Sequence, residues 1–440
     1  MEVQTPHPGR QASFREGGSS IGFQAQPETR SGIMTARHAI HRLATACLIL
    51  AAGLAEPVQA EQTPSYTLSQ QTYDRLSGIQ QLMDESRNRE AITLLKELLS
   101  GLEGKNYEKA IAAQTLGYAY AGVGDYPGAI TWFELSLAQQ ALPPEQQQNL
   151  RYDLAQLYMS VDAYEKAIAA MDAWLEQADV KEPAAYVLQA SAYLRLERYA
   201  EAIPVLERAI ALSAAPKEQW YQSLLGAHYE LDRLGDCVPL LERMIRLFPH
   251  KAAYWRQLAG IHLALKHYKK GLATLELAYN RGLLTQEKDL GRLVQLYLFL
   301  DIPYKAGALL QKEIERGRID GTEKTLGLLA TAWIRARELD KAIATLKRAA
   351  RISNKYSLSL QLARLLAETS QWRESMHILQ GLVARKGHHK EKGKALMLLG
   401  MVQYELRDWE QARKSFALAL KHTGVEKTAR QWLAHLDSLR

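Results

Sequence analysis

The chain has 440 residues, 47% of them hydrophobic and 23% charged, with only 14 Pro and 28 Gly. That length exceeds a typical single core, which leaves several domains, one large enzyme or a stack of repeated units, and the wealth of Ala, Leu, Gln, Glu, Lys and Arg favours helices over sheets or disordered tails. A formal net charge of +7 is small for this length, and the basic residues are interspersed with acidic ones, so composition implies no nucleic-acid partner.

Residues 1–33 are polar, rich in Gly, Ser, Gln and Arg, and carry no hydrophobic period that could build a core. They read as a disordered or over-extended N-terminal segment, with Met34 the true start. From Met34 the chain has a short basic region with Arg37 and Arg42, an apolar run from Leu43 to Ala55, and the small-residue cleavage pattern Val58-Gln59-Ala60. This predicts a signal peptide over 34–60, cleaved before Glu61, and a periplasmic protein. The alternative is a membrane anchor through the uncleaved segment, although the run is shorter than the ~20 residues that span hydrocarbon. Cys47 precedes most of the apolar run, and Ala44 stands where a Leu is expected three residues before it, which disfavours a lipoprotein. The mature chain then keeps one cysteine, Cys237, so no intramolecular disulfide forms and stability must come from packing.

After a short lead at 61–67, one pattern recurs through the rest of the chain. The segments LGYAYAGVGDYPGAITWFELSLA, LAQLYMSVDAYEKAIAAMDAWL, QASAYLRLERYAEAIPVLERAIAL and LATAWIRARELDKAIATLKRAARI share it. Each has an apolar residue, a Gly or Ala, an aromatic three on, a polar turn, a second large apolar residue, a small residue three later and a large one four beyond. The small residue of the second helix falls at Ala91, Ala129, Ala167, Ala202, Cys237, Gly271, Ala306, Ala342, Ser375 and Ala412, at steps of 33 to 38 residues. This resembles the tetratricopeptide repeat, whose uninterrupted period is about 34. The resemblance implies an all-α solenoid of about ten helix pairs, a right-handed superhelix, over residues 68–425.

The departures carry expectations of their own. Asn88 replaces the aromatic in the first repeat, where one side needs no partner. In the fifth, Gly226 and Tyr229 run one residue out of phase with Leu234 and Cys237, which predicts a turn one residue shorter. In the seventh, Pro303 takes the aromatic position and Tyr304 follows it. Longer steps are expected at Ala141–Pro144 and at Lys181–Pro183, where Pro opens the next helix. Over residues 426–440, Ala429, Trp432, Leu433, Leu436 and Leu439 share one face of a helix that would cap the last repeat.

No catalytic signature accompanies the repeats. GLEGKNYEK lacks the spacing of a phosphate loop, and neither HExxH nor paired CxxC occurs. Adjacent His388 and His389 cannot face one metal from a helix and read as solvated loop residues. His228 and His262 read as core or groove-edge packers. No enzyme, cofactor, metal or small-molecule substrate is therefore expected, and no spanning segment in the mature chain. Tyr126, Tyr164, Tyr199 and Tyr268 are accounted for by the repeat.

The tetratricopeptide resemblance places partner binding on the first helices, at the second, fifth, ninth, twelfth and thirteenth repeat positions. In the early repeats these are Tyr73, Tyr118, Asn149, Tyr152, Gln156 and Trp220. In the later ones they are Arg256, Lys288, Gln295, Lys324, Arg335, Arg364 and Lys394, with Glu368 and Glu405 opposed. An aromatic-polar half precedes a mostly basic one. The Lys and Asn arrangement with which some family members clamp a chaperone's terminal carboxylate is absent from these positions.

Several phrases resemble more closely the exported tetratricopeptide proteins that accompany TonB, ExbB and ExbD energy-transduction systems of Gram-negative bacteria. They are QTLGYAYAGVGDYPGAI, QQALPPEQQQNLRYDLAQLY, YWRQLAGIHLALKHY, LATLELAYNRGLL and IPYKAGALL. The resemblance implies a non-catalytic periplasmic scaffold docking a TonB-like transducer or ExbB/ExbD-like inner-membrane components, in the service of outer-membrane receptors. The alternative is a general cell-envelope scaffold for peptidoglycan or outer-membrane assembly, unconnected to TonB.

Overall fold

A computed structural model describes residues 66–177, 182–386 and 391–438. Residues 1–65 with the signal segment, Lys181, His388, His389 and Leu439 lie outside the described residues. The described residues form twenty-one α-helices and no strand. They fall into two compact units, the first ending at Asp232 and the second beginning at Arg233.

The first unit contains α1 (Gln70–Asp84), α2 (Asn88–Ser100), α3 (Asn106–Gly122), α4 (Tyr126–Ala138), α5 (Pro144–Ser160), α6 (Tyr164–Gln177), α7 (Pro183–Arg195), α8 (Tyr199–Leu212) and α9 (Glu218–Glu230). The second begins with α10 (Leu234–Leu247), α11 (Ala252–Ala264), α12 (Tyr268–Asn280), α13 (Glu287–Phe299), α14 (Pro303–Glu315) and α15 (Glu323–Arg335). It ends with α16 (Leu339–Ile352), α17 (Tyr356–Glu368), α18 (Trp372–Ala384), α19 (Lys392–Glu405), α20 (Trp409–Ala419) and α21 (Glu426–Ser438).

Small residues set the distance between the two helices of a hairpin. Ala91, Ala129, Ala167, Ala202, Cys237, Gly271, Ala306, Ala342, Ser375 and Ala412 are all buried. So are the large residues four further on, among them Leu95, Phe133, Met171, Leu241, Leu346 and Phe416. The first helix is equally constrained at Gly117 and Gly400. A Cβ on Gly117 would sit 2.3 Å from Cδ1 of Phe133, and one on Gly400 would sit 2.5 Å from Cε1 of Phe416. Glycine there lets a phenyl ring lie directly on the helix backbone, so the ridges of the two helices interdigitate.

The turn between first and second helix is three residues long at every repeat, and its middle residue is left-handed. Ser86, Asp162, Glu197, Asp232, Lys266, Asp301, Arg337, Ser370 and Arg407 have φ between 55° and 63°, and Gly124 has φ 81°. The next residue's N–H then reaches back five residues, as in Ala163 to the Tyr158 carbonyl at 2.8 Å and Glu338 to Trp333 at 2.9 Å. This closes the orphan carbonyls of the first helix and fixes where the second begins. Nine non-glycine residues accept that backbone although it costs each roughly 1 kcal/mol. The turn sequence is therefore nearly free to vary while its geometry is not.

Two expectations from the sequence are corrected here. The fifth turn is not shortened: residues 231–233 separate α9 from α10, and Leu225 and His228 are among the buried residues of α9 while Gly226 and Tyr229 are not, which leaves those two one residue off the packing register. The longest steps, Ala91 to Ala129 and Ala129 to Ala167, coincide with α3 and α5, which have 17 residues against the 13 of α7. Proline opens α5 at Pro144 and α7 at Pro183, but no proline accompanies α3.

Within each unit, hairpins stack in chain order, each second helix packing against the following first helix, as α4 does on α5 and α14 on α15. First helices also touch one another directly, α1 with α3, α5 with α7 and α17 with α19. At the C-terminus α21 buries Ala429 and Leu436, and Trp432 stacks on Phe416 with ring centroids 5.3 Å apart. Polar ties reinforce the rows. The Glu313 carboxylate, fully buried, accepts from Tyr279 Oη at 2.7 Å and from Arg316 and Arg318 at 3.2 and 3.3 Å. Burial, then that bond to Glu313, pushes the Tyr279 phenol up to about 12.

Glycines of the first helices separate two roles. Gly117→Ala should destabilise the first unit by about 1–3 kcal/mol, as should Ala129→Leu, because both overpack a filled contact. Gly291, where nothing lies within 4 Å of a built Cβ, should respond oppositely. Gly291→Ala gains about 0.5–1 kcal/mol from helix propensity alone. Urea denaturation of the three variants measures both signs.

Candidate functional site

The first helices of each unit present a face that the hairpin contacts leave uncovered. In the first unit Tyr73 on α1 is 53% exposed, and Asn149 and Gln156 on α5 are exposed one helical face apart from the buried Leu150 and Leu154. These three side chains take no part in the apolar packing between hairpins.

Tyr118 and Tyr152 are placed differently. Tyr118 is half-buried, its ring edge-on to Phe133 at 4.9 Å, and its Oη donates to Oδ2 of Asp153 at 2.6 Å. Burial and the neighbouring Asp153 carboxylate push its phenol well above the usual range. Burial likewise raises the Asp153 carboxyl, which the bond from Tyr118 pulls partly back. The pair thus ties the second hairpin to the third. Tyr152 leans on Trp174, with centroids 5.8 Å apart, and burial raises its phenol against the opposing pull of the Gln156 hydrogen bond. Trp220 is half-buried on α9. With Leu225 and His228 in the packing positions, Gln219 rather than Trp220 occupies the second position of that repeat.

In the second unit several of the expected cations are already matched. Arg256 on α11 reaches the buried Asp289 of α13 at 3.0 Å. Arg335 meets Asp301 in the preceding turn at 2.8 Å, and Lys394 lies 3.8 Å from Glu391. Lys288, Lys324 and Arg364 are exposed and make no ion pair among the described residues; Gln295, Glu368 and Glu405 are exposed as well. The basic character expected of this face therefore rests on three side chains.

Glycines add what the residue pattern did not single out. Gly260, Gly291 and Gly327 occupy inner positions of α11, α13 and α15, and an added Cβ there meets nothing within 4 Å or, at Gly327, only Leu358 at 3.8 Å. Unlike Gly117 they satisfy no packing need, so they leave helix backbone bare beside Lys288 and Lys324. A glycine inside a helix without a close neighbour is the signal that would have found them.

No group of three or more His, Cys, Asp or Glu is placed to hold a metal among the described residues. His228 and His262 are buried at the eleventh position of their repeats, and burial lowers the His262 imidazole, with Lys270 and His267 adding to it. Cys237 is buried, and burial pushes its thiol up to about 11. No helix among the described residues is long and apolar enough to cross a membrane.

Residues 360–424 match the family model of the tetratricopeptide repeat, and residues 123–209 match that of anaphase-promoting complex, cyclosome, subunit 3. Over residues 360–424 the chain carries tetratricopeptide repeats. No curated protein matches it. Among solved structures it is similar to a tetratricopeptide repeat protein from Parabacteroides merdae ATCC 43184, at 13% identity and TM-score 0.35 over 68% of this chain and 99% of that one. It is also similar to YrrB, a tetratricopeptide protein with an unusual peptide-binding site, at 14% identity and TM-score 0.33 over 42% and 91%. A third likeness is to the APC/C hetero-tetramer Cut9-Hcn1, at 12% identity and TM-score 0.27 over 83% and 77%. At these values the likenesses say nothing about what this chain binds. Tetratricopeptide repeats typically make non-catalytic scaffolds for protein–protein interaction.

The tie between Tyr118 and Asp153 can be tested apart from binding. Tyr118→Phe should cost about 1–3 kcal/mol at neutral pH, because it leaves a largely buried carboxylate short of a donor. Asp153 titrates above its unfolded value, so the penalty is full above its folded pKa and fades as acid protonates it. Denaturation of parent and variant across the acid range gives the difference directly.

Proposed function

We propose that the chain is an exported, non-catalytic scaffold of the cell envelope whose first-helix face holds an extended segment of a partner protein. The partner we assign is a component of a TonB-type energy-transduction complex, either the TonB-like transducer or an ExbB/ExbD-like inner-membrane protein. The observation that carries the binding reading is the uncovered set Tyr73, Asn149 and Gln156, exposed on first helices whose neighbouring positions are buried. Helix surface with a planar aromatic and adaptable amides suits an extended backbone, which needs hydrogen-bond partners along its length and a ring to lie on. The export reading rests on the segment 34–60, and the TonB reading on the resemblance of the phrases quoted above.

Tyr118 and Tyr152 contribute to the same face as its rigid walls. Truncating them damages folding as well as binding, so they are poor probes of recognition. The informative variant is Tyr73→Ala, Asn149→Ala and Gln156→Ala combined, which should keep its helical content and unfold like the parent. Titrated against purified TonB-like and ExbD-like periplasmic domains, it should bind at least about tenfold more weakly, since exposed aromatic and amide contacts near an interface centre are worth about 1–3 kcal/mol each. Binding equal to the parent's would remove the first-helix face from the account, and binding of neither domain by the parent would remove the TonB assignment. N-terminal sequencing of envelope material should read Glu61 first; a species retaining Leu43–Ala55 would replace export by anchoring.

A further inference from the structure

The turn edge of the second unit carries half-exposed rings that lie off the first-helix face. Phe299, the last residue of α13, is 54% exposed, and Tyr304, the second residue of α14, is 53% exposed. Both flank the turn at 300–302. Phe299 lies edge-on to Tyr268 at the start of α12, with centroids 4.8 Å apart, and Tyr304 lies edge-on to Trp333 of α15 at 5.8 Å. Because the helices of a row alternate in direction, these turns all emerge on one edge, where Phe299 and Tyr304 protrude on either side of one turn, backed by the half-buried Tyr268 and the buried Trp333.

Its charges are asymmetric. Tyr268 stands between Lys266, Lys269 and Lys270, all exposed and without an ion pair among the described residues. The acids nearby are mostly spoken for. Asp301 is held by Arg335 at 2.8 Å, Glu276 by Lys305 at 2.6 Å and Glu338 by Lys341 at 3.0 Å. Lys341 also covers the rings of Tyr304 and Trp333, at 5.2 and 4.7 Å. Exposed Arg337 in the next turn and exposed Asp340 at the start of α16 carry opposite charges. Three uncompensated lysines therefore remain around two exposed rings.

We propose that this edge is a peripheral docking surface for an anionic membrane. The rings and ammonium groups sit on helix ends and turns, an outward edge that meets a flat partner rather than enclosing a chain. Aromatic side chains with one apolar and one wet side settle at the headgroup level, while lysines gain from anionic lipid within a Debye length. Charge complementarity sets the choice of lipid: a zwitterionic surface offers the three lysines nothing. The attachment is weak and reversible, and orients the scaffold with the turns of its second unit against the bilayer.

The test is sedimentation of the purified mature chain with vesicles of about 30% phosphatidylglycerol in phosphatidylcholine, and with phosphatidylcholine alone, at about 50 mM and about 300 mM salt. The parent should partition onto the anionic vesicles at low salt, far less at high salt, and not onto the neutral ones. Lys266→Gln, Lys269→Gln and Lys270→Gln combined should lower partitioning about a hundredfold at low salt, at roughly fivefold per lysine. Phe299→Ser with Tyr304→Ser should lower it about tenfold at both salts. Circular dichroism confirms that each variant folds. The proposal is overturned if the parent ignores anionic vesicles at low salt, if it binds neutral vesicles equally, or if both variants partition as the parent does. It is equally overturned if an acidic aromatic peptide, and not the vesicle, is captured through these lysines.

Discussion

Two antiparallel helices can come only as close as their contact side chains permit, and within each unit of this chain a residue no larger than cysteine fixes that distance in every hairpin. Ala129 admits the second helix, Gly117 admits the Phe133 ring, and the turn between them must then be three residues with a left-handed centre. Each element follows from the one before. Because every hairpin leaves one apolar side open, it requires a neighbour, and after the tenth hairpin α21 supplies a surface with Ala429, Trp432 and Leu436 inward and charge outward.

The same constraint decides what is free to recognise a partner. Residues committed to closing the hairpins are buried and constant in kind, while residues at the other first-helix positions carry no packing duty. In the first unit these are aromatic and amide side chains. In the second they are bare glycine backbone with a few lysines and arginines. Tyr118 shows that the division is not absolute: it sits on the exposed face by register, yet its ring rests on Phe133 and its hydroxyl on Asp153. Such residues stiffen the first-helix face.

The repeat and its phase were legible because a small residue against a large one is a property of residue type and spacing. Every second helix begins at the residue three before its small position, from Asn88 to Trp409, whether that residue is Asn, Tyr, Leu, Pro or Trp. The fifth repeat was misread for an instructive reason. Gly226 and Tyr229 match the pattern by type, but burial selects Leu225 and His228, since the turn geometry and not residue identity sets the register. Side-chain partners were not legible. The Arg256–Asp289 and Arg335–Asp301 pairs join residues more than thirty positions apart, and only the stacking of hairpins brings them together. Tyr304 stood out beside Pro303 as a departure of the seventh repeat, but the exposed Phe299 did not, because the last residue of a first helix carries no constraint in the repeat pattern.

The central claim is that a partner protein lies on the first helices. A photo-crosslinking residue placed at Asn149, on the first-helix face of α5, and separately at Ala169, exposed on the second helix α6, asks this in living cells. The account predicts a discrete protein adduct from position 149 and none from position 169. An adduct from position 169 with none from position 149 would contradict it, and would move recognition to the second helices.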